Sequence, residues 1–180
     1  MRRLALIALL AVAAYAALPY WSAYSLAQAF RTGDREVLER RVDWERLRAS
    51  LKDDLSAAMV AGLQGAGPRN DVAAALGVAF GPALIDNMLQ SVVNPASVAE
   101  LARRAAAPGE GEGGVPDEMA EDPLGAVRWA FFIGPSEFLV TVSDEKLDGE
   151  DVDLYFERSG LSWRLVRVKL PDTALSGLQG

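Results

Sequence analysis

No charged side chain occurs from Leu4 through Phe30, directly after the pair Arg2 and Arg3. The most apolar part, Leu4 to Trp21, makes roughly 27 Å of helix at about 1.5 Å per residue, close to the ~30 Å hydrocarbon core of a bilayer. Tyr20, Trp21 and Tyr24 fall where an aromatic belt forms at a membrane surface. Arg2 and Arg3 favour a cytoplasmic N-terminus, which puts the rest of the chain outside. The expected arrangement is a single-pass signal anchor over residues 1–21, in the inner membrane, with a periplasmic C-terminal domain. The alternative is a signal peptide cleaved at Ala14-Tyr15-Ala16, releasing a secreted protein. No turn-rich segment follows that site. Ser22 to Phe30 instead continues in helical character, which favours the anchor.

Composition excludes much of the remaining chemistry. The chain of 180 residues has neither cysteine nor histidine. Disulfides, thiolate metal sites and thiol nucleophiles are therefore out, and so are the commonest general base and metal ligand. Its net charge of −7 argues against nucleic-acid binding and against electrostatic docking on an anionic lipid surface.

Past the anchor, the helical part is expected over residues 22–107. Gly33 suits the left-handed position that ends the first helix, and Asp34 suits the N-cap of a short helix through Arg40. Asp43 repeats the device. After it, Trp44, Leu47, Leu51, Leu55, Ala58, Met59 and Gly62 share one face of a helix running to about Ala61. Glu45, Arg46, Lys52, Asp53 and Asp54 take the other face. Residues 62–70 are rich in glycine and read as a loop, and 71–80 as a helix. Another helix follows Gly81-Pro82. Asn94-Pro95 marks one more start, an N-cap with proline at the first helical position. Residues 108–123 form an acidic Gly/Pro-rich spacer.

Residues 124–171 read as antiparallel sheet. Strands are expected at Val127–Ile133, Glu137–Ser143, Val152–Glu157 and from Leu161 onward, with a short loop at Ser159-Gly160. That loop pairs Phe156 with Trp163 and makes Tyr155 and Arg164 neighbours. The alternation slips at the adjacent Leu165 and Val166, so one extra residue, a β-bulge, is expected there. Asp153 would then face Arg167, and Asp151 would face Lys169. Residues 172–180 form a tail. The fold class is α+β: an N-terminal transmembrane helix, a helical layer and a four-stranded antiparallel meander.

Several blocks resemble a known family. They are A-x-x-x-G-D at Ala29–Asp34, V-D-W-x-x-L-R-x-S-L-K at Val42–Lys52, and G-L-S-W-R-L-V-R-V-x-L-P at Gly160–Pro171. Together they resemble the bacterial membrane-anchored family catalogued as domain of unknown function 2939. That resemblance implies no activity and no catalytic residues. The order of helices, a G-D turn and a curved sheet is also similar to the cone-shaped α+β fold of nuclear transport factor two. In that fold a pocket often lies between helices and sheet.

No phosphate-binding loop, nucleophile elbow or metalloprotease motif occurs. Gly109 to Gly114 matches G-x-G-x-x-G by spacing, but no strand precedes it and its glutamates oppose a pyrophosphate. Asp53 and Asp54, being adjacent on a helix, point apart rather than converge on one substrate. No catalytic, cofactor-binding or metal-ligating residue is assigned, and no cofactor is expected. The candidate ligand pocket comprises Trp129, Phe131, Phe138, Tyr155, Phe156, Trp163 and Arg164, with Arg128 as a further polar member. Its occupant is a small apolar ligand or an unknown protein. The function expected is a non-enzymatic binding domain held at the membrane. The alternative is a small enzyme using an Asp or Tyr in a pocket between helices and sheet.

Overall fold

A computed structural model describes residues 2–65, 83–106, 126–144, 150–169 and 171. Its helices are α1 (Arg2–Thr32), α2 (Arg35–Arg41), α3 (Trp44–Gly65), α4 (residues 83–92) and α5 (Pro95–Ala105). The strands are β1 (Val127–Gly134), β2 (Glu137–Asp144), β3 (Glu150–Ser159) and β4 (Ser162–Lys169). They form one antiparallel sheet in the order β1-β2-β3-β4. The chain is thus α+β, with a long apolar helix first and a meander last. The expected helix at 71–80, the spacer at 108–123 and the tail lie outside the described residues.

The helix ends follow from local chemistry. Gly33 has φ +65° and closes α1, its left-handed backbone letting the Asp34 N–H turn back onto the Ala29 carbonyl at 3.1 Å. The Asp34 carboxylate accepts from the Glu36 and Val37 N–H groups at 3.0 and 3.1 Å. Asp43 accepts from the Arg46 N–H at 3.2 Å, and Asn94 from the Ser97 N–H at 2.9 Å. Each acceptor satisfies a donor that the first helical turn leaves free. α3 runs on to Gly65, four residues past the expected end.

α1 passes through Pro19 without interruption, although a proline there cannot donate to the Tyr15 carbonyl. Its two halves face different surroundings. Leu4, Leu6, Ile7, Leu9, Leu10 and Val12 are all exposed, whereas Pro19, Ser22, Leu26 and Ala29 are buried. The buried half meets the sheet face carrying Phe138, Val140, Phe156, Trp163 and Leu165, and α2 and α5 add Leu38 and Ala99 to the same core. Ser22, the polar member, receives a hydrogen bond from Arg41 Nη1 at 2.9 Å. Burial, and then the neighbouring Arg40, lower the pKa of Arg41.

β4 is closed along its free edge by the Val42 segment. Val42 forms a parallel bridge with Leu165, and the Asp43 N–H donates to the Leu165 carbonyl at 2.8 Å. α3 then continues past the sheet. The polar face expected for it is used rather than merely solvated. Lys52 lies 3.3 Å from Asp86, and Asp54 lies 3.3 Å from Arg167.

The last hairpin corrects one expectation and meets another. The bulge falls at Val166, between the pairs Tyr155–Arg167 and Phe156–Leu165. The loop, however, is Gly160-Leu161, with Ser159 opposite Ser162. Gly160 has φ +65°, which favours glycine at the first loop position rather than the second. The register therefore slides by two residues. Trp163 faces Arg158 rather than Phe156, Arg164 faces Glu157 rather than Tyr155, and Asp153 faces Lys169 rather than Arg167. A slide of two leaves every side chain on the same face of the sheet, so the core is unchanged while the cross-strand partners are not.

Candidate functional site

α1 contributes Leu26 and Ala29 to the centre of the core and runs along a strip of the sheet whose Phe138, Val140 and Val142 are buried. The strip and the helix bound a groove of about 550 Å³. Its floor is Phe138, Val140, Val142 and Leu154, inward-facing residues of β2 and β3, and its helical wall includes Tyr20, Trp21 and Tyr24. Volume and lining suit a small apolar ligand. The tyrosine hydroxyls are already engaged. Tyr20 donates to the Ala130 carbonyl at 3.1 Å, and the Tyr24 oxygen accepts from Gln28 Nε2 at 3.1 Å. No carboxylate, lysine or arginine is among the groove's lining residues, so this space offers no acid–base pair.

A second, polar hollow of about 540 Å³ lies between α3 and the opposite face of the sheet. Arg46, Asp53, Asp54, Glu137, Glu157 and Arg167 line it; Arg46 pairs with Glu157 and Arg167 with Asp54. Arg46 makes two parallel bonds of 2.6 Å to the Glu157 carboxylate, a fork-to-fork geometry that gives both strength and direction. The bond from Arg46 holds the Glu157 carboxyl below its usual pKa, against a smaller opposing effect of burial. The same bond raises the pKa of Arg46. A carboxylate held ionised in this way is a poor general acid. Arg167 lies over the Tyr155 ring, 5.9 Å from its centroid. Among the described residues, no group of three acidic, histidine or cysteine side chains could hold a metal ion.

The Arg46–Glu157 pair carries a pH prediction. Because the folded pKa of Glu157 is depressed, the pair's stabilisation is complete above the ordinary glutamate value of about 4.3. It is lost as pH falls through the lowered folded value. Both side chains remain substantially exposed, so Glu157→Gln should cost only about 0.5–1 kcal/mol at neutral pH. Denaturant midpoints of the two proteins should converge once acid has protonated the glutamate. A gap independent of pH would assign the effect to packing instead.

The structure distributes the sequence-derived pocket residues over several places. Phe138 lines the groove. Phe156 and Trp163 are buried beside it in the core. Trp129 and Phe131 point from the outer face of β1, where both are 57% exposed, and their rings lie 5.9 Å apart. Tyr155 lines the polar hollow. Arg164 stands opposite Glu157, and its Nε is buried without a hydrogen-bond partner. Arg128 reaches Asp151 at 3.2 Å. The helical wall of the groove was missed in the sequence. Its signal was the length of the uncharged run, which continues to Phe30, well past what a membrane crossing needs.

Fold and site together define a class: an α+β domain whose first core helix is also one long and apolar enough to cross a membrane, with an apolar groove along that helix. By sequence the chain belongs to the family described as Protein of unknown function (DUF2939), whose model matches residues 8–101. The match takes in α1 from Ala8 onward, then α2, α3 and α4, and reaches into α5, stopping short of the sheet. No curated protein and no solved structure matches the chain.

Proposed function

We propose that this protein is a membrane-anchored envelope domain that works by binding rather than catalysis. α1 is its single-pass anchor, Arg2 and Arg3 stay on the cytoplasmic side, and the domain stands in the periplasm of a bacterial cell. The observation that carries this reading is the division of α1. One unbroken helix exposes apolar side chains over its first half and builds the domain core with its second. Water does not favour such an exposed apolar stretch, but a bilayer does. Arg31, Arg35, Arg40 and Arg41 follow the span. They belong to a folded domain, and domains translocate largely regardless of charge.

Binding is favoured over catalysis because the groove is apolar and four of the hollow's six charged residues, Arg46 with Glu157 and Arg167 with Asp54, are paired. Its occupant is a small apolar ligand or an apolar segment of another protein. The test is intact mass of protein recovered from carbonate-washed membranes of a bacterial host. A full-length mass in the washed membrane is expected. A mass beginning near Ala17 in the soluble fraction would replace the anchor with a cleaved signal peptide. Protease added to spheroplasts should digest the domain if it faces outward.

A further inference from the structure

We propose that the turn end of the sheet is seated in the bilayer interface, so that the domain rests in the membrane surface rather than standing clear of it on a stalk. This rests on the anchored reading above. It follows from a mismatch of lengths. The apolar stretch between the charged pair Arg2-Arg3 and the first domain contact at Tyr15 is Leu4–Ala14. These eleven residues make about 16 Å of helix, against a hydrocarbon core of about 30 Å. Arginine side chains reaching toward the headgroups recover a few ångströms. About 10 Å then remains, comparable with the ~5–10 Å by which apolar protein surfaces sink into the boundary between headgroups and acyl chains.

The part of the domain that must sink is identified by its contacts with α1. Tyr15 donates to the Pro135 carbonyl in the β1–β2 turn, and its ring lies under Arg158 beside the β3–β4 turn. Those two turns are therefore level with Tyr15. One and a half turns further along α1, Tyr20 bonds Ala130. Between these levels β1 points Phe131 and Ile133 outward, 57% and 50% exposed, and Leu161 at the β3–β4 turn is 89% exposed. The exposed Trp21 and Trp129 lie just beyond Tyr20 and Ala130, as a belt would. The charged residues of the sheet at this end are Glu137, Glu157, Arg158 and Arg164, with Arg46 bonded to Glu157. Glu137 and Arg158 are exposed and sit at strand ends, where headgroups and their water reach them. The contact is hydrophobic, so the acidic net charge of the chain does not oppose it.

The chain contains no cysteine, so single labels can be placed at will. Spin labels would be attached to Leu161→Cys, Phe131→Cys and Ala96→Cys in the full chain. The last is an exposed position on α5, within a turn of the Ala99 carbonyl that approaches Gly33, at the opposite end of the domain. The proteins would be reconstituted in vesicles of phosphatidylcholine with a minor share of phosphatidylglycerol. Labels at 161 and 131 should collide several-fold more with oxygen than with a water-soluble nickel chelate, and the label at 96 the reverse. If all three report water while carbonate leaves the protein in the vesicles, the seating is wrong and the anchor stands. If carbonate strips the protein, both fail. If 131 is shielded from oxygen and nickel alike, protein covers it, which also overturns the proposal.

Discussion

Replacing Trp163 by alanine is expected to destabilise the protein by about 3–5 kcal/mol, the range for removing a fully buried large aromatic side chain. Trp163 is completely buried and sits where three elements meet. Its ring centroid is 6.2 Å from that of Tyr15 on α1, 5.6 Å from Phe132 on β1 and 6.4 Å from Phe138 on β2. Edge-to-face contacts of this kind add to the area buried. Collapse into the vacated space would require α1 or the sheet to shift, and both are tied to other partners. Trp163→Phe should be much milder, at about 1–2 kcal/mol, because the indole N–H has no hydrogen-bond partner to lose. Urea denaturation of the detergent-solubilised chain would measure both. Equal losses would show that the indole N–H is engaged after all.

The second large effect is expected at Gly33. A β-carbon there would stand 2.6 Å from the Ala99 carbonyl oxygen and 2.5 Å from Arg103 Cγ. Arg103 is flexible and can move, but the α5 backbone cannot do so alone. The glycine also has φ +65°, a conformation that costs other residues about 1–2 kcal/mol. Gly33→Ala should therefore cost about 2–4 kcal/mol, the backbone penalty plus the cost of forcing α1 and α5 apart. Gly160 is the control. It shares φ +65°, but a β-carbon there meets nothing within 4 Å. Gly160→Ala should show the conformational part by itself, about 1–2 kcal/mol. If the two losses match, the close approach of α1 and α5 contributes nothing.

These two positions also show what the sequence makes legible. Gly33-Asp34, Asp43 and Asn94-Pro95 announce helix ends because capping is settled within a few residues. The strands are legible from alternation, and the bulge at Val166 from the point where alternation slips. The partners of Trp163 are not. A register slide of two preserves the apolar pattern, so the pairing turned on which loop position takes the positive φ of Gly160. The groove was hidden for a different reason. Membrane spans and buried helices draw on the same side chains, and Tyr20, Trp21 and Tyr24 fit an aromatic belt as well as a groove wall. Trp129 and Phe131 alternate as a core-facing pair should, yet they occupy the outer face. Alternation identifies the members of a face but not which face meets the helices.

Leu18, Leu26 and Ala29 can be solvated by acyl chains as well as by the sheet. In a membrane, α1 therefore has two solvents competing for one surface. Drawing the helix deeper would trade protein contacts for lipid contacts at small net cost to α1 itself, while uncovering Phe138 and Trp163. On the anchored reading proposed above, the depth of α1 in the bilayer and the folding of the domain are one thermodynamic variable. Bilayer thickness, which proteins on flexible tethers scarcely sense, would then be a determinant of how firmly this fold is closed.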